Sequence, residues 1–276
     1  AGTRTFEIND SANAADDLTV SAVITNGSIT KTGLGTLVLS GANTYTKAQI
    51  GATNQVGNAG TISIEHNTAL GTGQLDYGSG GTLDLGVTGL TVANNVFVGN
   101  RTDGSDYKIQ LDLAGTATGE LTGFIDIRKG SPGVFVAEVG ADDTLTFSGL
   151  VKTGAGGGAG LNKIGAGTLV LTNDNTYKGN TTVNAGTLKV TSQTALGTVV
   201  NATTVADGAT LELNYVPANN TSPIEENITL NGAGVGGTEG ALKITGTGAG
   251  NELGNNTITL GSDATINTQA RFDTNS

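Results

Sequence analysis

The 276-residue chain contains 45 Gly, 3 Pro, no Cys, no Met and no Trp, and its formal net charge is −11. Gly is too irregular and Pro too rare for a collagen, and 13 Lys+Arg against 24 Asp+Glu leave no basic stripe for a phosphate backbone, so nucleic acid is excluded as a partner. The absence of Cys removes disulfides, thiolate metal sites and Cys nucleophiles together.

Thr is as common as Gly, while aromatic residues make up 4% of the chain. A core built from such a sequence is expected to rest on Leu, Ile and Val rather than on rings. No apolar run reaches the roughly 18 residues of a membrane span, and Ala1 to Asp10 shows no signal-peptide pattern. The sequence therefore predicts no membrane insertion, with any export signal or anchor lying outside it.

Residues 1–28 read as incomplete first coils. From there the chain repeats itself. Residues 33–46 (GLGTLVLSGANTYT) return as residues 165–178 (GAGTLVLTNDNTYK), an offset of 132 positions. This divides the chain into a first long unit over 29–160 and a second, truncated unit over 161–276. Within each unit, two apolar residues separated by one outward residue recur. They are seen at Leu37/Leu39, Ile62/Ile64, Leu83/Leu85, Val96/Val98, Leu111/Leu113, Ile125/Ile127, Leu145/Phe147 and Leu169/Leu171, then at Leu188/Val190, Leu211/Leu213, Ile228/Leu230, Leu242/Ile244 and Ile258/Leu260. The spacing is roughly 19 residues per step, and the alternation is that of strands with one buried face. Gly and Asn clusters such as Gly78-Ser79-Gly80-Gly81 punctuate the steps as turns.

Evenly stepped strands with tight corners predict an all-β parallel solenoid of roughly 13 to 14 rungs, a rod on the order of 60 Å long at about 4.8 Å per rung. Gly is expected at corners, Thr on the strand exterior, and Asn43 and Asn175 in hydrogen bonds running along the rod. The alternative, a pair of β-sandwiches, fits less well because the sequence lacks the aromatic content and hairpin turns of sandwich cores.

The run from Leu161 to Thr172 (LNKIGAGTLVLT), continued by NTYKGNTTVNAGTL over 175–188 and closing with ALGT over 195–198, resembles the autotransporter-associated β-strand repeat of bacterial autotransporter passengers. Ile29 to Thr46 matches its front half, Lys47 to Gly57 departs from it, and residues 67–73 restore it. The resemblance implies a right-handed parallel β-helix held outside a Gram-negative cell by a C-terminal barrel beyond this sequence. It further implies a repeat that serves secretion and folding rather than chemistry.

No catalytic, metal or cofactor residues are assigned. Asp16-Asp17, Asp103/Asp106, Asp142-Asp143 and Glu225-Glu226 fall in turns and are expected to be solvated; adjacent carboxylates point to opposite sides of a strand and make no acid/base pair. His66, the single histidine, has no nucleophile elbow to serve. Asp103-Gly104-Ser105-Asp106 lacks the spacing and Glu of a Ca²⁺ loop, and the Gly154–Gly160 run precedes a strand instead of the helix a phosphate loop needs. Where the two units differ in length, three insertions combine charge, rings or Pro. Candidate binding residues are Asp103, Asp106 and Tyr107 in the first, Arg128, Lys129, Pro132 and Phe135 in the second, and Tyr215, Pro217 and Pro223 in the third.

The expected function is that of a rigid, non-catalytic surface stalk or adhesin in adhesion, autoaggregation or biofilm growth. Its partners would be host or neighbouring-cell proteins or glycans, or further copies of itself. The alternatives are a carbohydrate-active enzyme on the same scaffold and a filament subunit.

Overall fold

The computed structural model describes residues 2–51, 58–99, 106–127, 134–154, 158–198, 200–215, 224–246, 251–253, 256–269 and 272–274. Apart from one short 3-10 turn at Val235–Gly237, the regular elements are all strands. Three parallel sheets enclose one core. The first face has seven strands, from Thr3–Glu7 and Ser28–Thr32 to Ile125–Ile127 and Val151–Lys152. The second has eleven, from Leu18–Val20 and Thr36–Leu39 through Tyr107–Leu111, Phe135–Val139 and Leu161–Ile164 to Ile258–Leu260. The third has eight, from Leu90–Val92 to Ile266–Thr268.

Among the described residues the deepest stack, the second face, holds eleven strands, one per turn, fewer than the 13 to 14 rungs expected. The apolar pairs that suggested the larger number come from three different faces: Leu37/Leu39 belongs to the second, Val96/Val98 to the first and Leu145/Phe147 to the third. Counting them as one series counts some turns more than once. From Thr36–Leu39, five turns bring the chain to Leu161–Ile164 on the same face, and Thr168–Leu171 lies one face further round. The 132-residue offset thus spans about five and a third turns, or about 25 residues per turn.

Strand alternation builds the core as columns. One runs Leu37, Ile62, Leu83, Ile109, Ala137, Lys163, Val183, Val205, Leu230, each the direct partner of the next. Every aliphatic member is fully buried, which is worth roughly 1.5–3 kcal/mol for each large side chain. Contrary to the composition argument, rings do contribute: all five tyrosines, with Phe135 and Phe147, are buried. The outward row shows why Thr is so abundant. Thr36, Thr61 and Thr82 stand in register, and the same row resumes as Thr182, Thr204, Thr229 and Thr259. A β-branched side chain suits that half-exposed pleat.

Candidate functional site

The most distinctive local chemistry lies where the sequence repeats. Lys31 follows Ile29, and Lys163 follows Leu161, by two positions; strand parity therefore turns both lysines into the core, where both are fully buried. The Lys31 ammonium donates to the carbonyls of Gly33 at 2.6 Å and Ala59 at 2.7 Å. Lys163 donates to Ile164 at 2.9 Å, Gly165 at 2.8 Å and Ala185 at 3.1 Å. Each lysine thus ties its own corner to the corner of the following turn. Burial pushes Lys31 down to about 8, against the opposing pull of Asp17, and Lys163 down to about 7, against that of Glu138.

The corners need glycine. Gly60 (φ +67°) and Gly186 (φ +64°) adopt the left-handed conformation, and a Cβ on either would collide with the carbonyls of the preceding corner. Twelve residues beyond each lysine, an asparagine bridges three turns, in keeping with the sequence expectation. Asn43 accepts from the Ile24 N–H at 2.7 Å and donates to the Ala69 carbonyl at 2.8 Å; Asn175 accepts from Val151 at 2.8 Å and donates to Ala195 at 2.7 Å. The accompanying tyrosines are buried beside them, Tyr45 donating to the Ala69 carbonyl at 2.7 Å and Tyr177 sharing a 2.6 Å hydrogen bond with Thr181.

The candidate binding residues separate. Asp103, Arg128, Lys129, Pro132, Pro217 and Pro223 lie outside the described residues. Tyr107, Phe135 and Tyr215 are core residues, not loop surface, because alternation carries the core pattern to the end of each flanking strand; Tyr107 and Phe135 are direct partners in one core column. Asp106 is exposed, and its carboxylate accepts from the Val134 N–H at 3.3 Å. The described residues that flank the first two insertions come together. They sit on successive turns at one edge, between Val96–Val98 and Ile125–Ile127 on the first face and Tyr107–Leu111 and Phe135–Val139 on the second. The third insertion rejoins the second face four turns beyond Phe135, at Asn227–Leu230.

Beside that edge, a shallow groove of about 420 Å³ crosses four turns of the second face, lined by Thr82, Asp106, Lys108, Val136, Asn162 and Ile164 with Gly81. Lys108 forms an ion pair with Glu138 at 2.6 Å. On the neighbouring first face, an aromatic pair that sequence reasoning missed faces outward: Phe97 and Phe124 meet edge to face at 5.2 Å, and the Lys152 ammonium lies 3.9 Å above the Phe124 ring. Parity in Val96-Phe97-Val98 was the available signal.

The acidic pairs are not simply solvated. In each adjacent pair, all of which lie in corners, one carboxylate is exposed and the other is buried or half-buried. Asp143, 1% exposed, accepts from the Ala117 and Leu113 N–H groups at 2.7 and 2.9 Å, while Asp17 accepts from Ser11 and Thr36, both at 2.7 Å. These carboxylates hold backbone corners. His66 is exposed and accepts the Thr68 N–H at 3.1 Å, an ordinary turn contact. Among the described residues no cluster of three or more potential metal ligands occurs, and no helix is long and apolar enough to cross a membrane.

Comparison with known proteins agrees with this geometry. The chain matches the passenger-associated-transport-repeat family over residues 29–64 and 161–190, the two stretches that carry the buried lysines and bridging asparagines. It is also 31% identical, over an alignment covering 88% of the chain, to the adhesin BmaC autotransporter of Brucella suis biovar 1 (strain 1330), of which the alignment covers 9%. The chain therefore spans less than a tenth of that relative's length. No solved structure matches it significantly. Two passenger-associated-transport-repeats, each clasping one corner of a single parallel β-solenoid, make this chain an autotransporter passenger region.

Proposed function

We propose that this region is a non-catalytic adhesive segment of a surface-exposed passenger, and that its contacts are made along the edge formed by the strands that flank the first two insertions, over the groove on the second face. The observation carrying this reading is the register of the strands that follow those insertions. Tyr107 and Phe135 are direct partners, so whatever departs from the rod before them departs on successive turns beside the same groove. Loops set on a rigid scaffold are where recognition concentrates. The similarity to a protein named as an adhesin supports the same direction. Host-cell or neighbouring-cell proteins and glycans are the partner classes in view, with anchoring through a barrel encoded elsewhere.

The enzymatic alternative is not favoured. Glycoside chemistry calls for two carboxyl groups facing one another across a groove, and among the described lining residues this groove has Asp106 alone. The test is to fill the groove. Cells displaying the protein with Thr82→Arg and Asn162→Arg are expected to lose attachment to host-cell monolayers while the circular dichroism of the purified region stays that of the parent. Attachment at the parental level, with both arginines present and the fold intact, overturns the assignment.

A further inference from the structure

A buried acid lies well away from that groove, at the corner where the chain rejoins the second face after the third insertion. Glu226 is 3% exposed. Its Oε1 accepts from the Thr203 hydroxyl at 3.0 Å, and Thr203 is the direct partner of Thr181, whose hydroxyl is bonded to Tyr177 at 2.6 Å. Thr181, Thr203 and Tyr177 are all fully buried, so the carboxyl group caps a polar chain that runs through the core of three turns. Beside it is a small cavity of about 70 Å³ lined by Gln193, Thr194, Leu196, Gly197, Ile224 and Glu225 together with Glu226, enough for a water or two.

The groups around Glu226 offer its ionised form little support. The Thr181–Val183 and Ala202–Val205 strands present Thr181 and Thr203, neither of which titrates near neutrality. The turn at 193–197 contributes an amide, a hydroxyl and apolar groups. Tyr177 is held neutral, since burial pushes its hydroxyl far above the ordinary range, and Glu225 in the cavity wall carries the same sign of charge. Among the described residues no cation pairs with Glu226. Burial pushes this acid up to about 7, with the Thr203 hydrogen bond opposing the shift.

We propose that Glu226 is a proton-dependent lock on this corner: as the neutral acid it stays inserted beside Thr203, and as the carboxylate it is driven out through the adjoining cavity, freeing the corner from the core. The sign follows from linkage. The folded group binds its proton up to about pH 7, whereas in an unfolded chain it loses it near 4.5. The corner is therefore held most firmly in mild acid and loosens as pH rises from about 4.5 through 7. Ile224 and Glu226 are docked and Glu225 is exposed, so the corner has a defined direction in which to open. A surface segment would then respond to the acidity of the medium at one corner while the rest of the rod stays wound.

The experiment compares the 276-residue chain with its Glu226→Gln variant, which keeps the acceptor for Thr203 and cannot ionise. Amide hydrogen exchange is corrected for intrinsic rates and read at Ile228 and Leu230, with Leu37 and Leu39 as an internal reference. In the parent, protection at Ile228 and Leu230 is expected to fall at least tenfold relative to the reference between pH 5.5 and pH 8.5. In the Gln variant that differential fall is expected to vanish, and its melting temperature at pH 8.5 is expected to exceed the parent's. A parent without the differential fall, a variant that retains it, or a variant less stable than the parent at pH 8.5, including one that does not fold, overturns the proposal. None of these outcomes depends on adhesion, so the lock and the adhesive reading fail separately.

Discussion

The two repeat copies use the same device on different faces of the rod. In the first, Lys31 lies on the first face and clasps the corner leading to the second; in the second, Lys163 lies on the second face and clasps the corner leading to the third. The strand after each lysine shifts with it, Thr36–Leu39 to the second face and Thr168–Leu171 to the third. What the motif specifies is therefore a corner and its ties to the neighbouring turns, not a position around the rod. A solenoid tolerates such a shift because a turn contacts only the turns next to it. The middle of the rod, where all three faces carry strands, makes the transition between the two phases.

If the motif is a portable corner, equivalent substitutions in the two copies must act in the same direction, with sizes set by the contacts each copy makes. The largest are expected at the left-handed glycines. Gly60→Ala and Gly186→Ala each place a Cβ against the carbonyls of the preceding corner, and at Gly60 against the Lys31 ammonium as well. The combined cost of a left-handed non-glycine residue and of overpacking is about 4 kcal/mol. Urea unfolding should show the two variants shifted alike. A large shift at one and none at the other would break the equivalence.

The lysines come next. Lys163→Ala removes the donor to three carbonyls and opens a void between Ala137 and Val183, for an expected loss of about 3 kcal/mol after the relief of ammonium desolvation is counted. Lys31→Ala strands two carbonyls rather than three and should cost about 2 kcal/mol. Asn175→Ala leaves the Val151 N–H and the Ala195 carbonyl without their side-chain partner, while Asn43→Ala strands the Ile24 N–H and leaves the Ala69 carbonyl its bond from Tyr45. Both should lose about 1–2 kcal/mol by the same assay, with Asn175→Ala the costlier of the two.

Much of this was legible in the residues. Period-2 aliphatic pairs with Gly and Asn punctuation read as a parallel solenoid, and the 132-residue repeat marked where the clasps lie. The number of turns was not legible, because a Leu-x-Leu pair looks the same on any of three faces and only the pairing partners distinguish them. The buried lysines were available to the same parity rule that found the core: Ile29-Thr30-Lys31 and Leu161-Asn162-Lys163 each point the lysine inward. The general preference of Lys for the surface hides this, and it is overridden where corner carbonyls can receive the ammonium. Tyr107, Phe135 and Tyr215 were assigned to loops because they adjoin insertions, although Tyr107-x-Ile109-x-Leu111 and Phe135-x-Ala137-x-Val139 continue the inward alternation to the strand end. Of the candidate groove, only Asp106 was named in advance. Outward residues from four turns meet there, and nothing local in the sequence announces the meeting.

The smallest expected effect is also the finest test of the comparison between the copies. A lysine whose folded value lies below its unfolded value of 10.5 destabilises the fold wherever the unfolded chain would hold the proton more tightly; this penalty is full below the folded value and relaxes as pH rises toward 10.5. Relaxation should begin near pH 7 for Lys163 and near pH 8 for Lys31. Stability should therefore rise with pH over that range, the second copy starting first. Subtracting the pH profile of Lys163→Met, and separately that of Lys31→Met, from the parent's isolates each contribution, since the other carboxylates and lysines are common to all three proteins. The Lys163 curve should begin to rise at lower pH than the Lys31 curve. Coincident curves would mean that the third carbonyl at Lys163 makes no energetic difference, and the two clasps would be one device with one strength. Curves that fall with pH would mean that neither ammonium is desolvated in the fold.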